Sequence, residues 1–203
     1  MDKIFNHEES LSLINEMISR ARNNFQKEKM YSMIYWGYIT AAIAILNYAL
    51  LQFLNHPNQS FWVWLLMFPA GIVSHFIDRY VNRTVLVKTH IDRMGNGVWK
   101  GFMVGVVVFL AVIFTAAIRY QAPIIFVMTT PVILIMLGIC EFISAIIYHH
   151  KPWYLVSVLF WVGAVGCAFL PVDLQFIVLA VCMVLGFVVP GHMLNYQAPK
   201  SHV

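Results

Sequence analysis

The chain has 203 residues, of which 61% are hydrophobic and only 11% charged, and its formal net charge is +4 at pH 7. Soluble domains carry about 25% charged residues, so this composition excludes an ordinary soluble domain and indicates one compact helical bundle in a lipid bilayer. The basic balance suits a face beside anionic lipid headgroups and gives no reason to expect nucleic acid as a partner.

Residues 1–30 are predicted to form a separate cytoplasmic amphipathic helix. Apolar side chains recur there at helical spacing in one stripe, at Leu11, Ile14, Ile18, Ala21 and Phe25. Asn6 followed by Glu9 resembles a capping box that would start the helix. Two placements stay open: the helix lies on the inner leaflet as a lipid partner, or it packs on the loops or on a second subunit.

Residues 31–195 are predicted to form a bundle of six transmembrane helices, followed by a cytoplasmic tail at residues 196–203. Apolar runs of about 17–25 residues can cross a bilayer, and in hydrocarbon they must be helical because unpaired backbone groups are costly. The predicted fold class is therefore an all-α polytopic membrane protein. Every even-numbered span contains a proline, which favours a repeat of three hairpins, each made of an odd-numbered span and the even-numbered span that follows it. The predicted spans are Tyr31–Leu54, Phe61–Asp78, Val98–Ile118, Pro123–Tyr148, Trp153–Leu170 and Val172–Asn195.

The basic residues predict the orientation of these spans. Of the thirteen Lys and Arg residues, all except Arg119 fall in the two termini and in the even-numbered loops, on one side of the membrane. Basic residues accumulate on the cytoplasmic side of membrane proteins. Both termini are therefore predicted to be cytoplasmic.

Three glycines lie along one edge of the third span. Gly97, Gly101 and Gly105 are spaced at i, i+4 and i+8, a pattern that lets two helix backbones approach closely. We favour an internal contact within the bundle. A seam between two copies of the chain is the alternative, and it would make the protein a homo-oligomer.

The fourth span contains a carboxylate in the stretch "IMLGICEFISAIIYHH". Glu141 lies eight residues before His149, about 12 Å along a helix and close to the middle of a hydrocarbon core about 30 Å thick. Ser144 shares its face with small residues, whereas the opposite face is bulky and suited to lipid. An isolated charge is costly at that depth, so we expect Glu141 to point inward and to keep its proton at neutral pH.

Further polar residues lie near the cytoplasmic ends of two other spans. Ser74, His75 and Asp78 share one face of the second span, and His192 closes the sixth. Because the second and fourth spans run in the same direction, we expect Glu141 to face the side that bears Ser74 and His75. Simpler roles stay open: a boundary salt bridge for Asp78, and an interior hydrogen bond for His75.

Two classes of function follow from these residues. The first is a non-enzymatic carrier of a small solute or ion, or a membrane sensor, with Glu141 as the titratable group and no cofactor. A purely structural Glu141, bonded to Ser144 or Thr40, is the alternative within this class. The second is a metal-dependent intramembrane hydrolase with Glu141 as base and three ligands, as catalytic zinc requires. Those ligands would be His75, Asp78 and His192.

Three segments carry a resemblance to a known family. The stretches "VLVKTHIDRMGNGVWKGF", "FWVGAV" and "VLGFVVPGHML" resemble phrases that recur in an uncharacterised family of six-helix bacterial inner-membrane proteins. The resemblance extends from the N-terminal helix to His192. It implies a location in the bacterial inner membrane, and it implies no activity.

Overall fold

A computed structural model describes residues 31–53, 57–81 and 90–197, and within these ranges every element is helical and no strand occurs. Seven α-helices, the last of which continues the sixth within one span, and three shorter segments follow one another along the described residues. They are α1 (Tyr31–Phe53), a 3₁₀ segment (Pro57–Leu66), α2 (Met67–Val81), α3 (His90–Tyr120), a 3₁₀ segment (Pro123–Met128), α4 (Thr129–Tyr148), α5 (Pro152–Cys167), α6 (Val172–Met183), a π-helical segment (Val184–Val188) and α7 (Val189–Gln197), which continues α6.

Five continuous helical stretches are long and apolar enough to cross a membrane. These are Tyr31–Phe53, Ser60–Ile77, Arg93–Tyr120, Ile124–Tyr148 and Val172–Leu194. The remaining helix, α5, has 16 residues. The predicted fold class, an all-α polytopic membrane protein, is confirmed. The predicted amphipathic helix at residues 1–30 lies outside the described residues, as does the predicted tail beyond residue 197.

The short helix α5 ends beside a buried glutamine. With about 1.5 Å of rise per residue, its 16 residues span about 24 Å, less than a hydrocarbon core of about 30 Å. The last carbonyls of a helix lack partners within it, and in lipid they need others. Gln175, which is 1% exposed, donates from Nε2 to the carbonyls of Cys167 at 3.0 Å and Leu170 at 3.3 Å. Gln175 thus allows α5 to end inside the bundle.

Helix α4 occupies the centre of the described bundle. It packs most extensively on α5 and also packs on α3 and α6. Gly138 lets the indole of Trp161 lie directly against the α4 backbone, and Nε1 of Trp161 donates to the carbonyl of Ile135 at 3.4 Å. Because α4 and α5 belong to different predicted hairpins, the main contact joins hairpins together. The three-hairpin repeat stays a prediction.

Helix α1 contacts the second span through two polar side chains. The Tyr35 hydroxyl donates to the carbonyl of Ala70 at 2.7 Å. Near the other end of α1, the side-chain amide of Asn47 is oriented so that both its nitrogen and its oxygen form hydrogen bonds. Its Nδ2 donates to Ser60 Oγ at 3.0 Å, and its Oδ1 accepts from Trp64 Nε1 at 2.9 Å. Two polar contacts therefore connect α1 to the second span, one near each end.

The last span changes its helical period before a proline. Pro190 has no N–H to donate, and in a regular α-helix its ring would clash with a carbonyl one turn earlier. The wider turn of the π segment Val184–Val188 accommodates this defect. Within the segment, the ring of Phe187 lies 5.4 Å from that of Phe160 and 5.9 Å from that of Trp99. The segment is therefore packed from α5 and α3.

The three glycines on the edge of α3 differ in their neighbours among the described residues. A methyl group added at Gly97 or Gly101 would meet none of the described atoms within 4 Å, whereas one at Gly105 would lie 2.7 Å from the Met136 methyl. The predicted internal contact has a described partner at Gly105 and stays a prediction at Gly97 and Gly101. The alternative, a seam between two copies, stays a prediction.

Candidate functional site

The carboxyl of Glu141 lies in the interior of the bundle, on the helix face that the sequence pattern predicts. Glu141 and Ser144 are both 0% exposed. Ile139 and Ile146, on the opposite face of α4, are exposed on the bundle surface. Because a glutamate is too short to reach the headgroups from mid-membrane, its burial here requires neighbouring protein groups.

The surroundings of Glu141 are largely apolar. Leu137 and Ala145, one turn before and one turn after it on α4, belong to one buried cluster with Phe160, Met183 and Phe187. Glu141 and Phe187 each lie seven residues before the last residue of their parallel spans, Tyr148 and Leu194 respectively. This register places the π segment at about the depth of Glu141. Departures from α-helical geometry of this kind are frequent at functional sites.

Among the described helical hydroxyls, Ser144 differs from Ser157 and Thr115, whereas Thr129 Oγ1 at the start of α4 is likewise buried without a partner. The Oγ of Ser144 is buried and has no hydrogen-bond partner among the described residues. By contrast, Ser157 Oγ, also in a fully buried residue, donates to the carbonyl of Tyr154 at 2.8 Å, and Thr115 Oγ1 donates to that of Ala111 at 2.7 Å. Helical Ser and Thr residues commonly bond to a carbonyl of the preceding turn. Ser144 lacks this bond.

Of the polar residues of the second span, His75 does not face Glu141. Ser74 is 7% exposed, and the next residue, His75, is exposed on the bundle surface, where its ring packs 6.4 Å from that of Phe76. Helix α2 contacts α1 through Ala70, whereas α4 packs on α3, α5 and α6. The prediction that Glu141 faces Ser74 and His75 is therefore wrong for His75. Helical spacing defines a face, and it leaves open which helix covers that face.

The proposed metal ligands do not come together among the described side chains. His192 is exposed on α7, and its Nε2 lies 3.2 Å from the Tyr38 hydroxyl. The side chain of Asp78 lies outside the described part of the structure. No group of three or more His, Cys, Asp or Glu residues in the described part could hold a metal ion. A hydrolytic centre built on His75, His192 and Glu141 is therefore not supported.

One feature at about the depth of Glu141 was not predicted from the sequence, the π segment of the last span. Its signal was present in the pair Gly186 and Pro190, because a proline four residues after a glycine removes one backbone bond where the chain can widen. The comparisons with family models, with curated proteins and with solved structures each gave no match. The resemblance to six-helix bacterial membrane proteins therefore stays an expectation.

Proposed function

We propose that this protein is a non-enzymatic membrane carrier of a small solute or ion, or a membrane sensor, whose conformation depends on the proton of Glu141. The observation that supports the proposal is the complete burial of Glu141 and Ser144 near the middle of the membrane. Ionisable residues inside membrane bundles mark ion pathways and proton relays more often than they serve packing alone.

The mechanism depends on the cost of a charge at this site. On insertion scales an acidic side chain at the middle of a membrane helix costs about 2.5–3.5 kcal/mol. Loss of the proton therefore favours any arrangement of helices that brings water or a cation to Glu141. A ligand or proton can shift a protein only through such a difference between two states. The π segment Val184–Val188, at a similar depth, gives the last span a place to bend.

The proposal predicts a titratable carboxyl in the parent protein that is lost in Glu141→Gln. In lipid bilayers, pH-difference infrared spectra of the parent should show a protonated carboxyl band that disappears as the pH rises. Glutamine cannot titrate, so Glu141→Gln should lack this band while keeping its helical content. Asp173→Asn, which changes a carboxylate at the outer end of α6 that lies 3.4 Å from Gln52 Nε2, is the matched control and should keep it. Identical spectra for the parent and Glu141→Gln would refute the proposal.

We further propose a bacterial inner-membrane location with both termini in the cytoplasm. The distribution of Lys and Arg and the resemblance of the three sequence stretches support it. Single cysteines at Asn58 and Asn96 test the orientation, because Cys140, Cys167 and Cys182 are buried and should not react with an impermeant thiol reagent. In intact cells, Asn58→Cys should be labelled and Asn96→Cys should be labelled only after lysis. The reverse pattern would show the opposite orientation.

A further inference from the structure

The Ser144 hydroxyl is a buried donor and acceptor that the proposed function does not yet use. It is 0% exposed, and no described residue forms a hydrogen bond with it. A buried hydroxyl without a partner is costly, and native structures rarely retain one unless a water or ligand completes it. The hydroxyl therefore indicates a small hydrogen-bonding ligand at this point of α4.

The same chain shows that an internal partner was available to Ser144. Ser157 is equally buried and bonds to carbonyls of its own helix, those of Tyr154 at 2.8 Å and Trp153 at 3.3 Å. Carbonyls of α4 stand at the corresponding distances along the chain from Ser144. Ser144 forms no such bond with these carbonyls, so its hydroxyl is available to a ligand.

Ser144 lies beside Glu141 and nearer to the end of the membrane span. Residues three apart in a helix share a face, with Cβ atoms about 5–6 Å apart, and the rise between them is about 4.5 Å. A water molecule is the smallest ligand that can bridge a carboxyl and a hydroxyl at such a separation. The helix places this bridge on the side of Glu141 that leads to Tyr148 and His149, where α4 ends.

We propose that Glu141 and Ser144 together bind a water molecule, and that Ser144 and this water relay protons between Glu141 and the His149 end of α4. The inference rests on the proposed function, in which Glu141 exchanges a proton. In each transfer, the carboxyl gives its proton to the bound water, the water passes one of its protons to the Ser144 oxygen, and Ser144 gives its original hydroxyl proton to a solvent water molecule at the His149 end of α4. Ser144 is a hydroxyl again after the step.

The elements packed on α4 bring no opposing charge to this depth among the described side chains. Charged side chains of α3 are exposed, at Arg93, Lys100 and Arg119. Besides Glu141, the buried or half-buried titratable groups on α4, α5 and α6 are the carboxyl of Asp173 in the first turn of α6 and the thiols and phenols of Cys140, Tyr148, Tyr154, Cys167 and Cys182.

Hydrogen–deuterium exchange of the Glu141 carboxyl tests the relay. The infrared band that is missing in Glu141→Gln shifts when the carboxyl proton becomes a deuteron, and its rate is followed after rapid transfer into heavy water. Ser144→Ala should slow this exchange by about tenfold or more, the order of effect expected from removal of a positioned proton-transfer group. Ser157→Ala, which removes an equally buried hydroxyl with partners in its own helix, should exchange like the parent.

A second pair of variants separates the relay from packing. Ser144→Thr keeps the hydroxyl. Ser144→Val introduces a side chain of nearly the same shape as threonine but without a hydroxyl, so of the two only valine should slow the exchange. Parental exchange in both Ser144→Ala and Ser144→Val would overturn the inference, as would equal slowing by threonine and valine. Inhibition by sodium relative to choline would also overturn it, because the site would then hold a cation. A carboxyl that exchanges through Ser144 yet never titrates would contradict only the proposed function.

Discussion

Replacing Glu141 with leucine should lower the free energy of unfolding by about 1–3 kcal/mol, whereas replacing it with glutamine should leave the stability close to that of the parent. Glu141 takes part in a polar or electrostatic interaction, and leucine would leave the partner group without it. A glutamine has a shape and hydrogen-bonding capacity similar to those of a protonated carboxyl. Reversible unfolding in mixed micelles, followed by circular dichroism, measures both differences.

The matched control for this pair is Ile139→Leu. It lies on the same helix but is exposed on the bundle surface, and substitutions at such positions usually change stability by less than about 0.5 kcal/mol. If leucine at position 141 stabilised the bundle, the carboxyl of Glu141 would lower the stability of the folded protein. Its role would then be functional and not structural. If glutamine proved as destabilising as leucine, the expectation that Glu141 is protonated at neutral pH would be wrong.

Gly37→Ala should destabilise the protein by about 1–3 kcal/mol, the usual cost of overpacking. A methyl group at Gly37 would lie 2.7 Å from Val188 Cγ2 and 3.2 Å from the backbone nitrogen of Val188. A backbone atom cannot rotate away, so α1 and the π segment would have to separate. Thermal unfolding in micelles should show a lower midpoint for Gly37→Ala than for the parent.

Gly101→Ala is the control for the glycine prediction. A methyl group there meets none of the described atoms within 4 Å, and alanine is the better helix former, so its midpoint should equal or exceed that of the parent. A large loss of stability in Gly101→Ala would show that this edge is covered, as a seam between two copies would require. Parental stability of Gly37→Ala would mean that α1 does not approach the last span closely.

Sequence alone determined the class of the protein and the approximate position of its spans. The predicted Val172–Asn195 and the observed Val172–Leu194 differ by one residue, and the predicted Pro123–Tyr148 matches a 3₁₀ turn followed by α4. The physical reason is that hydrocarbon sets both the length of a span and the need to pair every backbone group. Both demands act on consecutive residues. The sequence also predicted that Glu141 points into the bundle, because the residues that share a helix face are set by spacing along the chain.

Only the tertiary structure decided which helices meet. The sequence pattern paired the face of Glu141 with His75, which is exposed on the bundle surface. Gly37, which the sequence pattern did not identify as a packing position, lies against Val188. Lipid and a neighbouring helix are both apolar surroundings, so small or apolar residues do not by themselves distinguish between them. The choice depends on how all six helices pack at once, and no single span contains that information.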